Sequence, residues 1–252
     1  MKSSFVTAAC ALALSALVSA HAAPLVIGDS VTVADNNGNS FTTSPVLGDN
    51  NGLFANVRFT LNNVTTQTAA AGLFVLDQKP AAGSGGWSQL LAFCLEPEVF
   101  LTPFNNPYTV KSVAGAGYSA VSGAISELWG RYRGEVKNDT TAAAFQVALW
   151  ELAYGTTDKN LATGDFKLDT INTRAAVGPS VQDTAQGWLN SLTGSGPMAL
   201  GLVVLQDNEG QRNNQDLLTQ GQVPEPGMLA LLAAGLAGLG LARRRARRNS
   251  QA

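Results

Sequence analysis

The 252-residue chain has one histidine, two cysteines and few charges, with Asp, Glu, Lys and Arg together making up only 13 %. Each scarcity removes a class of chemistry. The single histidine, His21, sits close to the N-terminus, so a Ser-His-Asp triad, a histidine-ligated zinc and histidine acid–base catalysis are excluded from the body of the chain. Of the cysteines, Cys10 falls in an N-terminal apolar stretch, which leaves Cys94 alone with no intramolecular disulfide to make. Glycine is plentiful, yet Gly83-Ser84-Gly85-Gly86 and Gly115-Ala116-Gly117 lack both the spacing and the following Lys-Ser/Thr of a phosphate loop. The run Asp35-Asn36-Asn37-Gly38-Asn39-Ser40 has oxygen donors at alternate positions, but its glycine is misplaced for an EF-hand loop and the segment reads as a turn. No cofactor and no metal site are expected.

What is present begins at the two ends. Lys2, an apolar core from Phe5 to Val18 and small residues before Ala20 and Ala22 have the layout of a signal peptide over residues 1–22. At the other end Val223-Pro224-Glu225-Pro226 precedes an uncharged apolar run, Gly227 to Ala242, and then Arg243, Arg244, Arg245, Arg247 and Arg248. The prolines cannot continue a helix, so the Pro-Glu-Pro stretch is expected to be extended and accessible. As a helix, residues 227–242 would span about 24 Å, short against a hydrocarbon core of about 30 Å. Snorkelling arginines would cover the difference, and by the positive-inside rule they hold the C-terminus in the cytoplasm with the body of the chain across the membrane. Six of the sixteen basic residues and one of the eighteen acidic ones belong to these two signals, leaving about −7 on the body. That charge argues against nucleic acid as a partner.

The tail resembles the PEP-CTERM sorting signal of Gram-negative bacteria, with Val223, Pro224, Glu225 and Pro226 as the motif, residues 227–242 as its transmembrane helix and Arg243, Arg244 and Arg245 as the membrane stop. The resemblance implies an exosortase-type processing enzyme as partner, a membrane-anchored precursor, and a final place at the cell surface or in the extracellular matrix.

Between the signals the chain changes period once. From Leu25 to Val113, short apolar or alternating runs (25–33, 53–61, 73–76, 90–95 and 108–113) are separated by turn signals such as Asn37-Gly38 and Asn51-Gly52. An antiparallel β-sandwich or barrel is expected. From Tyr118 the spacing becomes helical: Val121, Ile125, Leu128, Trp129 and Tyr132 mark one helix. A second starts at Asp139 or Thr140, either of which can cap it, with Phe145, Ala148, Leu149 and Leu152 on one face and Gln146, Trp150 and Ala153 on its shoulder. A third covers residues 180–192, and 200–205 reads as a returning strand. The whole is an α+β fold: a β-rich part (25–113), a small helical subdomain (116–193), and a polar linker (207–222) leading to the sorting signal.

Two segments combine in a second resemblance. Phe93-Cys94-Leu95-Glu96 ends a strand, and Phe145-Gln146-Val147-Ala148-Leu149-Trp150 lies on the second helix. Together they are similar to the internal thioester domains of bacterial surface proteins, although Phe145 stands where those often have threonine. The resemblance implies a bond between the Cys94 sulfur and the Gln146 side chain, shielded by Trp150 and released to an amine- or hydroxyl-bearing ligand. Such a protein is a surface or biofilm-matrix adhesin that acts once, not an enzyme. Read without the resemblance, Phe-Cys-Leu is an ordinary buried strand and Gln146 a helix amide. A different class, a glycoside-active enzyme or carbohydrate-binding module, would draw on Glu96, Glu98, Glu127, Glu135 and Glu151.

Overall fold

The computed structural model describes residues 25–34, 52–64, 66–82, 85–101, 106–155, 158–169, 179–207, 214–221 and 235–236. The signal peptide, His21, the Asp35 to Ser40 turn and nearly all of the C-terminal signal lie outside them. Among the described residues no helix is long and apolar enough to cross a membrane.

Five strands come from the β-rich half: β1 (Ser30–Ala34), β2 (Gly52–Leu61), β3 (Gln67–Pro80), β4 (Ser88–Cys94) and β5 (Asn106–Ser112). After a π-helical turn at Ala114–Tyr118 come α1 (Ser122–Tyr132), α2 (Asp139–Tyr154), a short β6 (Phe166–Leu168) and α3 (Pro179–Ser191). Strands β7 (Leu202–Asp207) and β8 (Leu217–Gln220) complete the sheet. Every pairing is antiparallel, in the order β1-β5-β7-β8-β4-β3, and a β1–β3 pairing closes these six into a barrel. Of the two architectures open from the sequence, the barrel is the one formed; closure leaves these strands no free edge along their paired lengths.

The length of β3 makes the architecture. Its second half pairs with β1 on one edge (Val31↔Pro80 to Ala34↔Asp77) and β4 on the other (Phe74↔Ala92 to Gln78↔Ser88). Its first half leaves the barrel and pairs with β2, from Gly52↔Phe74 to Phe59↔Gln67, and β2 in turn carries β6. The β2–β3 connection turns through Asn62 and Asn63, both left-handed, a conformation asparagine tolerates better than most residues. Only residues 73–76 of β3 announce themselves as apolar; the rest is held by cross-strand partners, β2 along the first half and β1 and β4 along the second, which no local pattern reports.

Direct cross-strand partners share a face. One row, Cys94–Leu217–Leu205–Val110, is wholly buried. The alternate row, Phe93–Leu218–Val204, is buried as well, and Phe93 packs on Trp129 of α1 and Phe145 of α2. The helices therefore cover the outer face, and the Cys94 row fills the barrel. Barrel and helices form one hydrophobic core, not a sheet with a separate helical unit.

Helix α2 departs from its expected form. Asn138, one residue earlier than expected, is its cap: Thr141 N–H donates to Asn138 Oδ1 at 2.9 Å, and Asn138 N–H donates to Thr141 Oγ1 at 3.2 Å. Three consecutive residues can all cap, so composition does not choose among them. The expected single apolar face is also too narrow, because every residue from Ala142 to Leu152 is buried. The helix runs between β2, β3 and β6 on one side and α1 and α3 on the other. A helix enclosed all round needs no polar stripe.

The polar linker expected over residues 207–222 falls partly outside the described residues, at 208–213 and 222, and its described part from 214 to 221 is built into the fold. It contains β8, inserted between β7 and β4, and Asn214, Gln215 and Asp216 are buried ahead of it. Asp216 is satisfied by groups from other segments: it accepts from Asp207 N–H and Gln206 Nε2, both at 3.1 Å, and its own N–H donates to Glu96 Oε2 at 3.0 Å.

Candidate functional site

The site forms where β3 and β4 part. Their pairing ends at Phe74↔Ala92, after which β3 continues with β2 alone. On its other edge Cys94 is still paired with Leu217. On the vacated edge its main chain meets α2, where Gln146 takes the place of a strand. Cys94 N–H donates to Gln146 Oε1 at 3.0 Å, and Gln146 Nε2 donates to the Cys94 carbonyl at 2.7 Å. Both residues are fully buried. The two residues singled out from the sequence, 52 positions apart, are thus brought together. A carboxamide matches the N–H and C=O of one extended residue as a neighbouring strand would, and it satisfies two groups that are costly to leave unpaired.

Burial dominates the electrostatics here. It pushes the Cys94 thiol well above its ordinary range, and the nearby Glu96 carboxylate pushes further in the same direction. Cys94 is a free cysteine and a neutral thiol at physiological pH. Phe93 and Phe145, the residues preceding Cys94 and Gln146, close over the outer side with ring centroids 4.5 Å apart. Trp150, one turn after Gln146, is buried against Phe59 at 5.7 Å and Phe166 at 6.2 Å. Its indole N–H has no hydrogen-bond partner among the described residues.

The five glutamates take separate places. Glu96 accepts from the Asp216 N–H, Glu98 from Gln67 Nε2 at 3.1 Å, and Glu135 lies 3.6 Å from Lys137 at the surface. Glu127 is buried and accepts from Arg131 Nε at 2.8 Å and from the N–H groups of Gly194 and Gly196 at 2.7 and 3.0 Å. Burial alone would raise its carboxyl, but the Gly194 N–H, Arg131 and the Thr193 N–H hold it below the ordinary range. Glu127 thereby ties the loop after α3 to α1. Glu151 is buried with neither carboxyl oxygen hydrogen-bonded among the described residues. Burial, then the charge of Asp158, pushes it up to about 8, against a weaker lowering from the Asn160 N–H, which makes no well-formed bond to it. Among the described residues no group of three or more His, Cys, Asp or Glu is placed to hold a metal ion.

The address of the protein is decided by the residues beyond β8. Residues 222–248 match the PEP-CTERM protein-sorting motif. The chain is an exported, envelope-sorted protein whose PEP-CTERM segment marks it for processing by an exosortase. Val223, Pro224, Glu225, Pro226, Arg243, Arg244 and Arg245 all fall within the PEP-CTERM match and outside the described residues. No curated protein and no solved structure matches the chain.

One feature of the helical part escapes sequence reasoning. Arg131 and Arg133 are two residues apart, yet only Arg131 has a carboxylate partner among the described residues. The Arg133 guanidinium instead lies over the Phe93 and Trp129 rings, 5.8 Å from each centroid, at the edge of a cleft of about 350 Å³. The only local signal is Arg-Tyr-Arg at a helix end, which is ordinary complementarity to the helix dipole.

Proposed function

We propose that the body of this exported protein is a single-use covalent adhesin whose reactive group is a thioester between Cys94 and Gln146. After processing by the exosortase it acts at the cell surface or in the extracellular matrix of a Gram-negative bacterium. The observation that supports this reading is the two-point clamp of the Gln146 carboxamide on the main chain of the one cysteine in the body of the chain. The clamp holds the Gln146 carboxamide against the main chain of Cys94. Gln146 Oε1 already accepts the Cys94 N–H, so negative charge developing on that oxygen during attack meets a donor in place.

In the forming step the Cys94 S–H adds to Gln146 Cδ, the S–Cδ bond forms and the Cδ–Nε2 bond breaks. Because Cys94 is held as a neutral thiol, its proton moves to the departing nitrogen during attack, and ammonia leaves. In the release step an amine or hydroxyl of the ligand attacks Cδ. The new Cδ–N or Cδ–O bond replaces Cδ–S, and the ligand's proton returns to sulfur. The ligand ends joined to Gln146, so each molecule reacts once. Burial of the pair keeps water from competing.

Exposure to methylamine tests this. The expected product is an N-methylamide at Gln146, about 14 Da heavier than the encoded side chain, located by peptide sequencing and lost in Cys94→Ser. A Cys94→Ser protein that incorporates methylamine equally, or a wild type that incorporates none, overturns the proposal.

A further inference from the structure

We propose that the cleft between α1 and the outer face of β4 and β8 is a binding site for an acidic saccharide unit, with Arg133 receiving its carboxylate. The cleft is built from Arg133 and Trp129 of the α1 end, Gln89 and Leu91 of β4, Gln220 of β8 and Leu25. At about 350 Å³ it lies at the small end of ligand sites, room for a sugar ring or two.

The cation sets the ligand's charge. Arg133 is half-buried, and its guanidinium has no acidic or hydrogen-bonding partner among the described residues. Its aromatic neighbours fix its position without neutralising it. Burial lowers its proton affinity, the mark of an incompletely solvated charge. Arg131, which serves the Glu127 loop, shows what a structural arginine in the same helix end looks like. A planar guanidinium with no hydrogen-bond partner among the described residues fits a carboxylate through two parallel bonds.

The amides set the rest. Gln220 is held by two bonds, accepting from Trp129 Nε1 at 3.1 Å and donating to the Leu200 carbonyl at 2.8 Å, which leaves one N–H and one lone pair over. The Gln89 carboxamide makes no hydrogen bond among the described residues. Groups that both donate and accept match hydroxyls, which do the same. An acidic peptide would instead need a row of free backbone groups, and β4 and β8 have theirs engaged in the barrel ladders. The inference is independent of the thioester.

The test is titration of the exported body with glucuronate, with a short oligomer of glucuronate, and with glucose and acetate as the uncharged and hydroxyl-free controls. Saturable binding of glucuronate, at least tenfold tighter than either control, is expected. Arg133→Gln should weaken it by ~10- to 100-fold, the range for a charged hydrogen-bonded contact, and Arg133→Lys by less. Since Arg133 also packs on two rings, Gln89→Ala at an exposed position serves as a second variant and should cost a few-fold with the fold intact. Glucose or acetate binding as tightly as glucuronate, no saturable binding of any of the four, or glucuronate affinity unchanged in Arg133→Gln would each overturn the proposal.

Discussion

Glu151 gives the protein a pH dependence that can be calculated in sign and approximate size. Its carboxyl ionises near its ordinary value of 4.5 in the unfolded chain and at about 8 in the folded protein. Folding therefore favours the protonated form. The stabilisation is complete below pH 4.5 and is lost as pH rises from there through 8. Between pH 4.5 and 7 the loss has an upper limit of about 3 kcal/mol at 1.4 kcal/mol per tenfold in proton affinity. Relaxation and partial solvent access near Asp158 reduce that to roughly 1.5–2 kcal/mol. The change Glu151→Gln keeps the shape and removes the titration. Asp216, also raised by burial, and Glu127, lowered, add their own slopes to both proteins, so the difference between the two isolates Glu151. Urea unfolding of wild type and Glu151→Gln at pH 5, 7 and 9 is the assay. The variant should gain on the wild type by roughly 1.5–2 kcal/mol from pH 5 to pH 7 and by more at pH 9. Parallel curves across this range would refute the argument, and a wild type gaining on the variant with rising pH would reverse its sign.

Other expectations follow from single contacts. In the Cys94→Ser protein, which cannot close the thioester and keeps the clamp, Gln146→Leu leaves the N–H and C=O of position 94 buried without partners and should cost about 2–5 kcal/mol in urea unfolding. Asn138→Ala removes the α2 cap and should lower stability by ~1 kcal/mol, with Asn138→Asp close to wild type by the same measurement. Replacing Pro224-Glu225-Pro226 by alanines should leave an unprocessed, membrane-held precursor on immunoblots of fractionated cells; normal maturation of that protein would count against motif-directed processing.

What the sequence disclosed and what it withheld divide along the range of the interactions. Periods of two and of 3.6 reveal β2, α1 and α3, because each has one face toward the core, and β4 shows as an apolar run buried on both faces at its end. They understate α2, which is enclosed on all sides, and miss β8, whose neighbours Asn214, Gln215 and Asp216 look like a linker. Asp216 is accommodated there because Gln206 and Asp207 of β7 and Glu96 beyond β4 arrive to bond it. The Cys94–Gln146 pair was legible as two motifs, since both sit on strongly patterned elements. Its geometry was not, because the gap that admits Gln146 arises from β3 leaving β4 for β2. The Arg133 cleft depends on a helix end crossing two strands, β4 about forty residues before it and β8 more than eighty after it, and no spacing within the chain encodes it. The sorting motif, by contrast, is contiguous and was readable in full.

The thioester is the central claim, and the intact mass of the exported body purified without amines or reducing thiols tests it most directly. The account predicts a mass ~17 Da below that encoded, from the loss of one ammonia, with Cys94 resistant to alkylation even after unfolding. A mass equal to the encoded value, with Cys94 freely alkylated once unfolded, would contradict it and leave the Gln146 clamp as a structural substitute for a missing strand.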